Sequence, residues 1–231
     1  MNTPAIEFQD VCFSYPGGPE VLRHVSFSIM PGEKVALVGL NGSGKSTLLL
    51  HTNGLLMADS GTVSVCGHAI CRKNVAECRE SVGMVFQNAD DQLFMPTVEA
   101  DVSFGPRNMG LGTEEVERRV DEALRITGCL TLRKNAPFHL SGGQKKMVSI
   151  ATVLAMKPDI LVFDEPTSGL DFAAEAQFIS IVDRLPHTML MSTHDMNLVR
   201  RLCNRAILME KGSITYDGPV DTLPYPLIST L

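Results

Sequence analysis

The segment GLNGSGKSTLL, beginning at Gly39, crowds three glycines, a lysine and several hydroxyls between an apolar run, KVALV, and a run with helical spacing. Phosphate is a cluster of negative oxygens. A loop that binds it closely needs inward-facing backbone N–H groups and no side chains in the way. Gly39, Gly42 and Gly44 permit that backbone path, with Asn41 and Ser43 between them in the same loop. A helix that follows aims its N-terminus at the anion. Lys45 can reach the terminal phosphates, Ser46 can ligate a magnesium ion, and Thr47 offers a further hydroxyl. The spacing is GxxxxGK(S/T), so the expected ligand is a nucleoside triphosphate. The alternative is a glycine-rich turn that binds nothing, and the strand before it, the helix after it and the Lys-Ser pair weigh against that.

A second chemical feature is ILVFDEP, where two carboxylates follow four apolar residues. A strand leaving a sheet interior delivers its last residues to the crevice where ligands sit. Asp164 is suited to hold magnesium through water, because that cation prefers oxygen ligands. Glu165 is suited to orient or deprotonate an attacking water. Adjacent acids after a strand are otherwise a solvated turn, and the phosphate loop upstream favours the catalytic reading. A third feature is LSGGQ, Leu140 to Gln144, which alone is a good helix N-cap with a flexible backbone.

These residues need elements to hold them. IEFQDVCFSYP and VLRHVSFSI alternate as strands do, KVALV and ILVF are continuous apolar runs of strands buried on both faces, and GTVSVCG, VGMVFQ and TMLMSTHD read as further strands. Helical spacing runs through KSTLLLHTNGLL and SGGQKKMVSIATVLAMK. In EEVERRVDEALRITG it places Val116, Val120, Leu124 and Ile126 on one face, ending at Gly128. RAILMEKGSITYDG closes as a hairpin, and a proline-rich tail follows Gly218. The expectation is a parallel-sheet α/β core interrupted by a mainly helical insert.

At 231 residues the chain can build one sizeable core. Its net charge of -6 argues against broad electrostatic binding to nucleic acid. Apolar stretches fall far short of the ~20 residues a membrane span needs, and MNTPAIEFQD carries no basic-then-apolar signal pattern. A cytoplasmic protein is expected, with any membrane association made through a partner. Cys66, His68, Cys71 and Cys78 cluster in sequence, but their spacing fits no common zinc pattern and reads as reduced thiols.

The phosphate loop, the acidic strand and LSGGQ together resemble the ATP-binding cassette (ABC) ATPases, over nearly the whole chain. The resemblance implies a P-loop NTPase (RecA-like) α/β core with a mainly parallel sheet, an N-terminal antiparallel β subdomain and an inserted helical subdomain. Residues 1–231 then form one ABC ATPase domain. Its core is 1–87 and 149–218, the helical signature subdomain 88–148, and the short tail 219–231. Tyr15 matches the aromatic that stacks on adenine. Gln87 matches the glutamine that contacts both magnesium and the transmembrane partner. Asp171 matches the aspartate that crosses to the other subunit, and His194 the switch histidine at the γ-phosphate. Taken singly, each has a bland alternative: a half-buried strand residue, a loop amide, a helix cap. The resemblance also implies a head-to-tail dimer. Ser141, Gly142, Gly143 and Gln144 of one copy then face the triphosphate bound by the other.

A narrower resemblance follows Gln87. NADDQLFMPTVEADVSFGPRNMGL is similar to a segment of the ATPases of energy-coupling factor (ECF) transporters, which import cobalt, nickel and vitamins, with Met95 where glycine is common. It implies an ATP- and magnesium-dependent importer subunit on the cytoplasmic face of the membrane. Its coupling subunit would be contacted through Gln87–Phe94, with Asp91, Gln92, Leu93 and Phe94 the candidates; Phe94 packed inside the helical lobe is the alternative. Cobalt or nickel is the favoured cargo, with a vitamin such as biotin the alternative. Many ATPases of this group continue into a C-terminal dimerisation domain. With few residues after Gly212, pairing is expected to rest on nucleotide and membrane partner. A soluble ABC ATPase of DNA or ribosomes is the reading from another class. The stretch from Lys45 to Ser141 leaves no room for the long coiled coil of the former, and the single cassette does not suit the latter.

Overall fold

The computed structural model describes residues 3–224; the end of the expected tail, 225–231, lies outside the described residues. In chain order come β1 (Ile6–Ser14), β2 (Glu20–Ile29), β3 (Lys34–Val38), α1 (Lys45–His51), β4 (Ser60–Val65), β5 (His68–Ala69), α2 (Val75–Ser81) and β6 (Val82–Val85). Then follow α3 (Val98–Asn108), α4 (Thr113–Ile126), α5 (Gly142–Leu154), β7 (Ile160–Asp164), α6 (Phe172–Arg184), β8 (Thr188–Ser192), α7 (Met196–Leu202), β9 (Arg205–Glu210) and β10 (Ser213–Pro219). The chain forms two compact units. One comprises Met1–Val82, Asp159–Glu165 and Pro186–Leu231, and the other Gly83–Pro158 and Pro166–Leu185. The second unit contains the segment read as helical, 88–148, and extends beyond it on both sides.

The first unit holds two sheets. The runs KVALV, ILVFD and TMLMS carry polar side chains only at their ends, so they are stable only where both faces are covered. They pair in parallel, β3 with β8 and β8 with β7, and β9 joins β3 in parallel before returning antiparallel as β10. The order within this unit is thus β10-β9-β3-β8-β7. Parallel pairing brings the C-terminal ends of β3, β7 and β8 to one edge, where the chemistry-bearing residues sit. The alternating strands form a separate antiparallel sheet in the order β2-β1-β4-β5, with Phe8 and Phe27 stacked across it at 4.7 Å. Helix α1 packs against β2, β7 and β8. It is shorter than the helical spacing to Leu56 suggests: it stops at His51, and the chain turns through Asn53 and Gly54.

The second unit is helical, with α3, α4 and α5 packed on one another and α6 against α5. Val116, Val120, Ala123 and Leu124 form the buried face of α4, whereas Ile126, expected on that face, is exposed at the helix end. Arg133 knits the unit by donating to Glu99 (2.6 Å), Glu117 (3.4 Å) and Asp121. Hydrogen bonds from Arg133 and Lys134 hold the Glu99 carboxyl down at about 2. Where α5 meets α6, a Cβ on Gly143 would lie 2.7 Å from that of Ala174, so glycine there lets the two helix N-termini come side by side.

Candidate functional site

Strand β3 ends at Val38, and the next residue starts the glycine loop. Gly39 has φ +151, and a Cβ on it would fall 2.3 Å from the Met209 carbonyl oxygen, so the loop can leave the sheet here only with glycine. The loop folds around its own lysine: Lys45 Nζ, at the start of α1, donates to the carbonyls of Gly39 (2.8 Å) and Leu40 (3.2 Å). Lys45 is buried; burial pulls its ammonium below the ordinary lysine value, while the charges of Glu165 and Asp164 oppose that shift. Gly42 faces open space and Ser46 is exposed, so backbone and hydroxyl are both available at the mouth of the loop. Thr47 is buried, its Oγ1 3.2 Å from the hydroxyl of Tyr15. Asn41 is exposed, Gly44 caps α1 at φ +106, and Ser43 Oγ is buried without a hydrogen-bond partner among the described residues.

The acidic pair closes the same edge. Asp164 is the last residue of β7, and Glu165 follows it with φ +40, a backbone conformation that side chains rarely adopt. Both are buried. Ser192, at the end of the adjacent β8, fixes them: its Oγ donates to Asp164 Oδ1 at 2.5 Å and accepts from the Glu165 N–H at 3.0 Å. The Glu165 N–H also reaches the Ser192 carbonyl at 3.1 Å. Such double anchoring holds the strained backbone in place. The two carboxylate oxygens of Glu165 then differ. Oε2 accepts from His194 Nδ1 at 2.9 Å. Oε1 is buried, has no hydrogen-bond partner among the described residues, and stands 3.9 Å from Lys45 Nζ. A carboxylate with one oxygen held and the other free is equipped to accept a proton or a hydrogen bond from a reacting group. The Ser46 hydroxyl and the Asp164 carboxylate are oxygen donors of the kind a hard divalent cation takes, so the residues fit magnesium.

The structure thus gathers Tyr15, the loop Gly39–Thr47, Asp164, Glu165 and His194 in the first unit. Gln87, Ser141, Gly142, Gly143, Gln144 and Asp171 belong to the second. Gln87 is exposed just beyond β6, its carbonyl accepting from Lys146 Nζ at 2.7 Å. Ser141 caps α5 in a reciprocal box: its Oγ accepts from the Gln144 N–H (3.3 Å) and the Gln144 side chain accepts from the Ser141 N–H (3.0 Å). Gly142 and Gly143 are the first residues of that helix, with exposed residues on either side. Asp171 caps α6, accepting from the Ala174 N–H at 2.8 Å.

The segment after Gln87 is only partly available to a partner. Leu93 is buried, and Gln92 turns inward: it accepts from the Phe86 N–H and donates to the Ser149 carbonyl and Thr152 Oγ1. Both are structural here, which corrects their expected place at the contact. Asp91 and Phe94 are exposed, and Phe94 meets Phe104 edge-on at 5.0 Å rather than packing inside the helical lobe. The loop is held from below by a residue that sequence reasoning missed. Asp101, buried on α3, accepts from the N–H groups of Phe94 and Met95, each at 3.0 Å. Its signal was an acid placed between the buried Val98 and Val102. Ser192 was missed as well, being one hydroxyl at the end of an apolar strand.

The ABC transporter family pattern matches residues 22–168. A Geobacter sulfurreducens protein named as an ABC transporter ATP-binding protein is 50% identical, over 95% of this chain and 88% of its own length. The energy-coupling factor transporter ATP-binding protein EcfA1 of Methanospirillum hungatei is 46% identical, over 93% of this chain and 79% of its own. Among solved structures, cbiO1 of Clostridium perfringens, described as part of the ABC transporter complex cbiONQ, superposes with a TM-score of 0.86. It is 37% identical, over 95% of this chain and 90% of that one. A bacterial Atm1-family ABC exporter with ATP bound superposes with a TM-score of 0.83 at 26% identity, over 96% of this chain and 40% of the exporter chain. Family pattern, relatives and site geometry agree: this chain belongs to the ABC transporter family, as an ATP-binding and ATP-hydrolysing subunit.

Proposed function

We propose that the chain is the ATPase of an ECF-type importer and that its cargo is a transition-metal cation, cobalt or nickel. The observation that carries the enzymatic part is the asymmetry at Glu165, with Oε2 tied to His194 and Oε1 left free beside Lys45. In this reading Tyr15 stacks on adenine, and the loop amides with Lys45 and Thr47 bind the phosphates. Ser46 and Asp164 hold magnesium, and Gln87 joins them on the strength of the resemblance. When bound, magnesium neutralises charge on the phosphate oxygens. Glu165 orients the attacking water and takes up its proton through Oε1, while His194 fixes the carboxylate and reaches the terminal phosphate.

The same reading pairs two copies head to tail. Ser141, Gly142, Gly143 and Gln144 at the α5 N-terminus of one copy complete the triphosphate site of the other, where Asp171 crosses the interface. The names of the energy-coupling factor relatives and the likeness to cbiO1 support the ECF-type transporter part. No helix among the described residues is long and apolar enough to cross a membrane. Contact with the bilayer is therefore assigned to a coupling subunit that covers Phe94 and Phe104 on the cytoplasmic face, burying an exposed aromatic pair. Replacing Phe94→Asp tests this by pull-down: the variant is expected to lose the membrane subunit, and wild-type recovery removes the contact from the scheme. Uptake of labelled cobalt and nickel by cells carrying the whole transporter tests the cargo. Uptake unaffected by Lys45→Ala assigns the system to another solute.

A further inference from the structure

We propose that His51 is a positioning residue for nucleotide binding: from the phosphate-loop helix it holds Phe13, and through Phe13 it sets the ring of Tyr15. The inference rests on the reading of Tyr15 as the platform for the base. His51 is the last residue of α1 and is 1% exposed. Its Nδ1 donates to the carbonyl of Thr47, one turn back on the same helix, at 2.7 Å. That bond fixes the tautomer, so Nε2 carries the lone pair, and Nε2 is buried without a partner among the described residues. Burial pulls His51 below the ordinary histidine value, with the Thr47 carbonyl and Asp59 opposing, so the ring is neutral at pH 7.

A buried polar nitrogen without a partner costs stability that a hydrocarbon ring would not. What the imidazole provides is an orientation. Tethered at Nδ1, it presents an edge contact to Phe13, with ring centres 4.8 Å apart at 79°. Phe13 in turn meets Tyr15 edge-on at 5.0 Å and 82°. The Tyr15 hydroxyl then lies 3.2 Å from Thr47 Oγ1, so the three rings run from α1 out to the tyrosine and back to α1. Tyr15 otherwise follows directly on the end of β1 and is 42% exposed. An exposed tyrosine with free χ rotation loses entropy when it stacks on a ligand; one already braced by Phe13 loses less. His51 thereby joins the base platform to the helix that carries Lys45, Ser46 and Thr47.

The test separates the base from the phosphates by comparing the affinity of ADP with that of inorganic pyrophosphate, measured by calorimetry. Neither ligand requires turnover. His51→Gln keeps a donor for the Thr47 carbonyl and removes the ring; His51→Phe keeps a ring and removes the donor. H51Q is expected to weaken ADP about threefold to tenfold, the size of one edge-on aromatic contact, and to leave pyrophosphate unchanged. H51F keeps a ring behind Phe13 but loses the tether that aims it, and is expected to weaken ADP selectively, by less than H51Q does. Phe13→Leu should reproduce the ADP-selective loss and supplies the same test should H51Q not fold. Equal weakening of both ligands by H51Q, or no weakening of either, overturns the proposal. Tyr15→Ala distinguishes the two levels. If it weakens ADP selectively while H51Q and Phe13→Leu do not, the base platform stands and the role of His51 falls. If Tyr15→Ala has no selective effect, both fall.

Discussion

Glu165 is buried with its two oxygens in different surroundings, and that difference predicts how a variant behaves. Gln in its place keeps the shape and an oxygen but cannot accept a proton. Glu165→Gln is therefore expected to bind ATP and to hydrolyse it about 10²- to 10⁴-fold more slowly, the usual contribution of a positioned base. Phosphate release beside calorimetric binding checks this, and parental turnover removes Glu165 from the base role. The residue types of the site were legible because GLNGSGKST and FDEP each gather chemically demanding side chains in a fixed spacing. Ser192 was not legible, since nothing in TMLMS says which strand end it will share; only parallel pairing of β7 with β8 brings it to Asp164. The same limit hid His51, whose three-ring path joins β1 to α1 across unrelated parts of the chain.

At the scale of elements, legibility followed how strongly one interaction dictates the pattern. β3, β7 and β8 are unbroken apolar runs, α4 has a strong 3.6-residue period, and α5 starts at a capping box; all were expected from the sequence. α2 and α7 span seven residues each, too few to show a period, and α3 carries Asp101 on a buried position, which blurs it; α6 was not read from the sequence either. What holds the second unit's helices is partly ionic, and that has a pH signature. Glu99 titrates at about 2 in the folded chain, below the ordinary 4.5. A depressed carboxylate contributes stability fully above the unfolded value and loses it as pH falls towards the folded one. Arg133→Met keeps most of the apolar stem of the side chain and removes the charge. It is expected to cost about 1 kcal/mol in urea unfolding at neutral pH, and the difference from the parent should shrink as pH falls from 4.5 towards 2. A difference independent of pH across that window contradicts an ionic role.

At the scale of the molecule, the chain divides into a unit that carries the phosphate loop and the catalytic acids, and a unit that carries Ser141 and Asp171 at two adjacent helix N-termini. The division itself was visible as a change from strand to helix patterns. Its return after Glu165, which puts Pro166–Leu185 with the helices, was not, because contacts between α5 and α6 leave no local mark in the sequence. For a transporter ATPase the energetic requirement is that ATP favour one arrangement of two copies over another, since a ligand with equal affinity for both moves nothing. The most direct test is the mass of Glu165→Gln with saturating Mg-ATP, by light scattering, with and without the membrane subunit. The account predicts twice the monomer mass without the membrane subunit, returning to the monomer when nucleotide is removed, and two copies of the chain in the complex formed with it. A particle that stays monomeric in both settings contradicts it.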